Sequence, residues 1–142
     1  MAQQELVRHV SVTLRVPPSD VYAFAREPMN LPQWAAGLST GIRQEAGEWV
    51  TDSPIGQVKV RFVEENRLGV LDHVVVLPSG EEVYNPMRVV PNGKGSELCF
   101  TLFRRAGMTQ AQFDDDSAAV LRDLEALKAL LEAENVRAPE RE

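Results

Sequence analysis

The sequence predicts an α+β domain built from a seven-stranded antiparallel sheet, two short helices and one long C-terminal helix. Three observations carry this prediction. Apolar residues recur at helical spacing over 109–134, they recur every second residue over 40–105 with turn formers between the runs, and a separate alternating run, Val10, Val12, Leu14 and Val16, precedes both. A chain of 142 residues makes one domain with a full core, placed at 1–134. Residues 135–142, with Arg137, Pro139 and alternating charges, carry no apolar face and are expected to form a flexible tail.

In order, the first strand is 9–16, and Pro17-Pro18 stops it. Ser19 or Asp20 then caps a short helix holding Val21, Phe24 and Ala25, which Pro28 ends. A second short helix carries Pro32 in its first turn and Trp34 beyond, and Gly37 closes it. The meander that follows places strands at 40–45, 48–53, 56–63, 68–77, 82–90 and 97–105. Their connections, among them Pro78-Ser79-Gly80-Glu81 and 91–96, are rich in turn residues. Thr109 and Gln112 make a capping box, and Met108 is placed to staple against Phe113, so the last helix has a specified start. Its apolar stripe is Phe113, Ser117, Val120, Leu124, Leu127 and Leu131, widened by Leu121 and Leu130. About 25 residues of helix span roughly 37 Å, so a wide apolar surface is expected beneath it, either as plain core or with a cavity between.

Composition narrows the function. With 44% hydrophobic and 25% charged residues, and no apolar run of membrane-span length, the chain is expected to be a soluble, cytoplasmic protein. No basic region followed by an apolar stretch marks a secretory signal. Cys99 is the only cysteine, which excludes an intrachain disulfide and fits a reducing compartment. A net charge of -6 argues against nucleic acid as the partner. No His or Cys cluster has metal-ligand spacing, no cofactor loop is present, and Asn92-Gly93-Lys94-Gly95-Ser96 reads as a hairpin turn and not a phosphate cradle.

Two segments extend this reading. Val16-Pro17-Pro18-Ser19-Asp20-Val21-Tyr22-Ala23-Phe24 and Pro28-Met29-Asn30-Leu31-Pro32-Gln33-Trp34, together with the closing helix around 123–132, resemble the START-like or polyketide cyclase (SRPBCC) superfamily, whose fold is the helix grip. The resemblance covers about 7–132 and specifies architecture more than chemistry. It implies a curved sheet wrapped round the long helix, enclosing a cavity for an apolar small molecule, with Trp34 at its mouth.

If Leu77 faces Glu82 across a four-residue turn and Val90 faces Glu97 across the next, one sheet face collects Val70, Asp72, Val74, Val76, Val83, Asn85, Met87, Val89, Leu98, Phe100, Leu102 and Arg104. Taken as the inner face, it brings three polar side chains, Asp72, Asn85 and Arg104, into an apolar space where each requires a partner, a water or a ligand. Lys59 and Arg61 would then lie near Asp72 as internal counter-charges. Asn85 is placed to orient a ligand carbonyl or hydroxyl. The expected ligand-binding set is Trp34, Asp72, Asn85, Met87, Phe100, Arg104, Val120 and Leu124. Asp72, His73 and Tyr84 are the candidate catalytic groups, although on this register His73 sits on the outer sheet surface with Tyr84 and Arg88; a slip of one residue would exchange the faces. Binding of a lipid-, polyketide- or isoprenoid-type molecule as a carrier or sensor is one function. A cyclase or dehydratase acting in the same cavity is the other. A third reading is a protein contact or homodimer through an outer patch of Leu71, Val75 and Phe103.

Overall fold

A computed structural model of the chain describes residues 5–38 and 41–137. Its strands are β1 (Val7–Leu14), β2 (Arg43–Glu45), β3 (Glu48–Ser53), β4 (Gly56–Phe62), β5 (His73–Val76), β6 (Glu82–Asn85), β7 (Met87–Asn92) and β8 (Gly95–Phe103). Its helices are α1 (Pro18–Ala25), α2 (Leu31–Trp34) and α3 (Gln110–Arg137). All pairings are antiparallel, in the orders β1-β8-β7 and β2-β3-β4-β5-β6. The architecture is the α+β arrangement the sequence predicts, with eight strands in place of seven.

The extra strand comes from Pro86, which splits the expected 82–90 run into β6 and β7. Proline has no N–H to give the ladder. The Pro86 carbonyl turns to β8, accepting from the Thr101 N–H at 2.9 Å. Pairing continues on both sides of the break in one register: His73 faces Asn85 and Val75 faces Val83, while Val70 bridges Arg88 and the Leu71 N–H donates to the Met87 carbonyl at 2.8 Å. An undistorted Leu71–Met87 pair would exchange two backbone bonds. Here the second is replaced by side chains: Met87 N–H donates to Asp72 Oδ1 at 2.9 Å, and the Leu71 carbonyl is bonded to His73 Nδ1 at 3.1 Å.

The register differs by one residue from the expected pairing of Leu77 with Glu82, because Glu82 faces Val76. Gly80 N–H donates to the Leu77 carbonyl, and Leu77 N–H to the Glu81 carbonyl at 2.9 Å, so the loop is Pro78-Ser79-Gly80 with Gly80 at φ +92°. This is a tight turn followed by a left-handed glycine, a three-residue hairpin connection. The slip turns β5 over. Leu71, His73 and Val75 face inward, and Val70, Asp72, Val74 and Val76 face outward. The next hairpin holds the expected register, Val90 opposite Glu97, so Met87, Val89, Leu98, Phe100 and Leu102 are buried on the inner face.

The long helix begins on the capping box: Gln112 N–H donates to Thr109 Oγ1 at 3.1 Å, and Thr109 N–H to Gln112 Oε1 at 2.8 Å. Phe113, Ser117, Leu124, Leu127 and Leu131 are buried beneath it, whereas Leu121, expected to widen the stripe, is 38% exposed. The helix runs three residues past Glu134; the remainder of the expected tail, 138–142, lies outside the described residues. At the other end, α1 starts at Pro18 with Pro17 as its N-cap, two to three residues before the expected Ser19 or Asp20 cap, because proline at the first helical position presets the backbone.

Gly69 sits at φ +73°, where an added Cβ would overlap the Val89 carbonyl oxygen. Gly80 has a similarly positive φ but open space around it. Gly69→Ala is therefore expected to cost about 3 kcal/mol of unfolding free energy. Gly80→Ala should cost about 1 kcal/mol, since only the backbone conformation opposes it. Urea denaturation midpoints of the two variants distinguish a steric clash from a conformational cost.

Candidate functional site

α3 packs principally on β1 and, more lightly, on β8, while the five-stranded sheet bends away at Pro86. Between that sheet and the helix lies a hollow of about 200 Å³. Val60 of β4, His73 and Val75 of β5, Asn85 of β6 and Phe100 of β8 form its sheet wall. Leu31, Trp34 and Ala35 close one side, and Val120, Asp123 and Leu124 of α3 form the roof. The volume is below the roughly 300–1,000 Å³ of drug-sized ligand sites. A larger groove of about 440 Å³ lies alongside and shares Asn85. It is lined by Glu81, Glu82, Arg105 and Asp116, with Arg105 paired to Glu81 at 3.1 Å. Its walls set Glu5, Glu81, Glu82, Arg105 and Asp116 among Val83, Leu102 and Phe103, whereas the smaller space has Asp123 as the one charged residue among its described lining residues, so the smaller and more apolar space is the candidate site.

Of the residues the sequence marked for ligand contact, Trp34, Asn85, Phe100, Val120 and Leu124 line this hollow. Met87 does not: it is fully buried in the core beside the bend. Asp72 and Arg104 do not enter it either. Asp72 lies on the outer face, where the one-residue slip puts it, and accepts from the Tyr84 hydroxyl at 3.0 Å and from Arg88 Nε and Nη2 at 3.3 Å each. Burial opposes its ionisation, but bonds from Arg88, the Met87 N–H and Tyr84 outweigh that and hold its pKa below the usual carboxylate value. The counter-charges expected for it are elsewhere, since Lys59 is opposite Val76 and pairs with Glu48 at 2.6 Å, and Arg61 pairs with Glu82 at 3.2 Å. Arg104 Nε donates to the Met108 carbonyl at 2.9 Å, tying down the turn before α3. Tyr84 is half exposed on the outer face and stacks on Phe103 with ring centroids 6.3 Å apart. The expected outer patch loses two of its three members, because Leu71 is fully buried and Val75 lines the hollow, and Phe103 remains against Tyr84.

His73, expected on the sheet surface, is instead a wall of the hollow. Its ring stacks on Phe62 at 4.9 Å and meets Phe100 edge-on at 5.8 Å. The Nδ1 bond to the Leu71 carbonyl fixes the proton on Nδ1, because a carbonyl only accepts. Nε2 is thus an acceptor, with no hydrogen-bond partner among the described residues. Burial lowers the His73 pKa, outweighing the Leu71 bond and the Asp72 charge, which raise it. Asp123, missed in the sequence because it occupies a polar position of the helix pattern, reaches the roof and accepts from the Ala36 N–H at 3.2 Å. Burial raises its pKa, against that bond and the nearby Arg122. Trp34 carries the only fully buried side-chain N or O atom among the described residues without a partner, its indole Nε1. Such an orphaned donor costs about 1–3 kcal/mol.

No protein-family sequence model matches the chain, and no curated protein sequence does. Solved structures do. A protein from Cytophaga hutchinsonii, solved in solution, is 16% identical over 96% of this chain and all of its own, with a TM-score of 0.72. DynU16, from the dynemicin biosynthetic locus, is 17% identical over 90% of this chain at a TM-score of 0.68, and this chain spans 48% of its length. Ara h 8.0201 is 13% identical, covering 90% of this chain and 98% of its own, at a TM-score of 0.66. At such identities the likeness concerns the fold. The chain has the helix-grip fold. Among the described residues no helix is long and apolar enough to cross a membrane, and no group of His, Cys, Asp and Glu is arranged to hold a metal.

Two measurements probe these assignments. The unfolded chain, with an ordinary imidazole near 6.5, takes up a proton before the folded chain does, so the stability from neutral His73 is complete above about pH 6.5 and is lost as pH falls toward its depressed folded value. His73→Phe should remove that slope, and its stability difference from the wild type should change by up to about 1.4 kcal/mol per pH unit below pH 6.5. A difference that stays constant through that range would mean the ring is not held neutral. Asp72→Asn, which loses the ionic bond to Arg88 and weakens the support of the bend, should cost about 1–2 kcal/mol at pH 7. That cost should narrow as pH falls below about 4 toward the depressed folded value, because the unfolded carboxyl takes up its proton first.

Proposed function

We propose that the protein binds a predominantly apolar small molecule in the hollow between its five-stranded sheet and α3, as a carrier or sensor in the cytoplasm. One observation carries this reading: a space between sheet and helix walled by Val60, Val75, Phe100, Val120 and Leu124. In a solid core these side chains would press against one another, whereas around a void each forgoes the dispersion attraction that a neighbouring atom would supply. An apolar ligand provides those neighbours. The fold supports the assignment, as does the dynemicin biosynthetic locus from which DynU16 comes. The cytoplasmic placement rests on the single cysteine.

A second reading, catalysis of the cyclase or dehydratase type, is favoured by His73. A neutral imidazole with a free Nε2 on the cavity wall is suited to take a proton from a bound substrate, and Asp123 on the opposite wall is a second titratable group. Asp72 and Tyr84 have no part in that reading, since both lie outside the hollow.

Native mass spectrometry of protein purified from its own host tests the binding function. The expected result is one co-purifying compound that disappears in Val120→Trp, where the indole fills the hollow, while the melting temperature stays within a few degrees of the wild type. A compound retained by a folded Val120→Trp protein would place binding elsewhere.

A further inference from the structure

The polar groups of the hollow lean toward acceptors. His73 Nδ1 is committed to the Leu71 carbonyl, so Nε2 presents a lone pair. Asn85 Nδ2 gives one of its two N–H groups to the Val83 carbonyl at 3.2 Å, leaving Oδ1 and the second N–H without a partner among the described residues. Asp123 contributes a carboxylate, one oxygen of which accepts from Ala36. No lysine or arginine lies among the described residues that line the space. Trp34 Nε1 is packed away without accessible surface, which leaves the second Asn85 N–H as the side-chain donor among the described lining residues. A hollow in which the His73 lone pair and a carboxylate are set against one amide N–H disfavours anions and offers a ligand donor more partners than a ligand acceptor.

Size narrows the occupant further. An apolar cavity of about 150 Å³ holds benzene, and this one is about 200 Å³. One substituted ring or two fused rings fill it; an extended acyl chain would project beyond it. The walls suit a flat body, with Phe100 edge-on to the His73 ring and Trp34 on the adjoining side.

We infer, building on the cavity function proposed above, that the hollow takes a compact, non-anionic ring compound whose hydroxyl or N–H group donates to His73 Nε2, and that it selects donors over acceptors of the same shape. His73 is then the residue that sets specificity, with the Asp123 carboxylate reinforcing its preference. The ring's partners Phe62 and Phe100 hold the imidazole in place, and the Leu71 carbonyl holds its tautomer, so the acceptor is oriented before a ligand arrives.

Four probes of one shape test this by NMR titration of the full chain at pH 7: naphthalene, 2-methoxynaphthalene, 2-naphthol and 2-naphthoate. The expected order has 2-naphthol about tenfold tighter than naphthalene, 2-methoxynaphthalene no tighter than naphthalene, and 2-naphthoate weakest. His73→Phe keeps the aromatic packing and removes the acceptor, so 2-naphthol should fall to the affinity of naphthalene, itself changed less than about twofold. If that variant does not fold, the wild-type His73 Nε2 nitrogen resonance decides the matter, because it should shift with 2-naphthol and not with naphthalene. Equal affinities for 2-naphthol and naphthalene, an unmoved Nε2 resonance, or tightest binding of the methoxy compound or the anion would overturn the donor preference while leaving the cavity function standing. Failure of all four probes to bind would remove both.

Discussion

The direction in which His73 points depends on three residues at the far end of its hairpin. Pro78, Ser79 and Gly80 close the connection between β5 and β6, and because that loop is odd in length, Val75 stands opposite Val83 and His73 opposite Asn85. Strand side chains alternate with a period of two, so one residue more or less would have sent Asp72 toward the helix and His73 to solvent. A carboxylate among Val60, Phe100 and Leu124 would have been costly to bury. The adopted register leaves the charge outside, within reach of Arg88 and Tyr84, and puts a neutral imidazole inside. Register, burial and tautomer are thus one decision, made by turn chemistry and enforced by desolvation.

Pro86 makes the second decision, where the sheet bends. The strand is interrupted at Pro86, and beside the break the Met87 N–H and the Leu71 carbonyl, which an undistorted pair would join, are satisfied by the side chains of Asp72 and His73, on opposite faces. These adjacent residues act as the two pins of the hinge between the sheets. The bend carries β4, β5 and β6 away from α3 while β1 and β8 stay packed beneath it, and the hollow is the space that remains. His73 therefore has two tasks: Nδ1 supports the fold and Nε2 faces the ligand space. A substitution there acts on both, and only a ligand series can separate them.

The site also departs from the rules the rest of the chain follows. Elsewhere among the described residues, fully buried side-chain polar atoms find partners, as Ser96 does with the Val16 carbonyl at 2.5 Å. At the hollow, Trp34 Nε1 has none, His73 is desolvated, and Asp123 is held where burial opposes its charge. Stability is given up beside the hollow, and part of it, at His73 Nε2, lies where a partner can restore it.

The sequence by itself determined the elements and their order. The Thr109–Gln112 box, the stripe from Phe113 to Leu131, the alternation in 97–105 and the prolines at 17, 18 and 28 are local signals, written in backbone propensity and side-chain period, and they survive in any surroundings. With the family resemblance of 16–24 and 28–34 they pointed to the helix-grip fold and placed Trp34 at a cavity mouth, and the strand and helix periods put Asn85, Phe100, Val120 and Leu124 on the faces that line the hollow. Which neighbour of the Asp72–His73 pair entered it was in principle legible too, since Pro-Ser-Gly favours a tight turn ending in a left-handed glycine. The break at Pro86, the assignment of Asp72 to Arg88 and the inward reach of Asp123 were decided only by tertiary structure. Each depends on residues distant in sequence meeting across a bend, and the cost of burying a charge is known only once the volume around it exists.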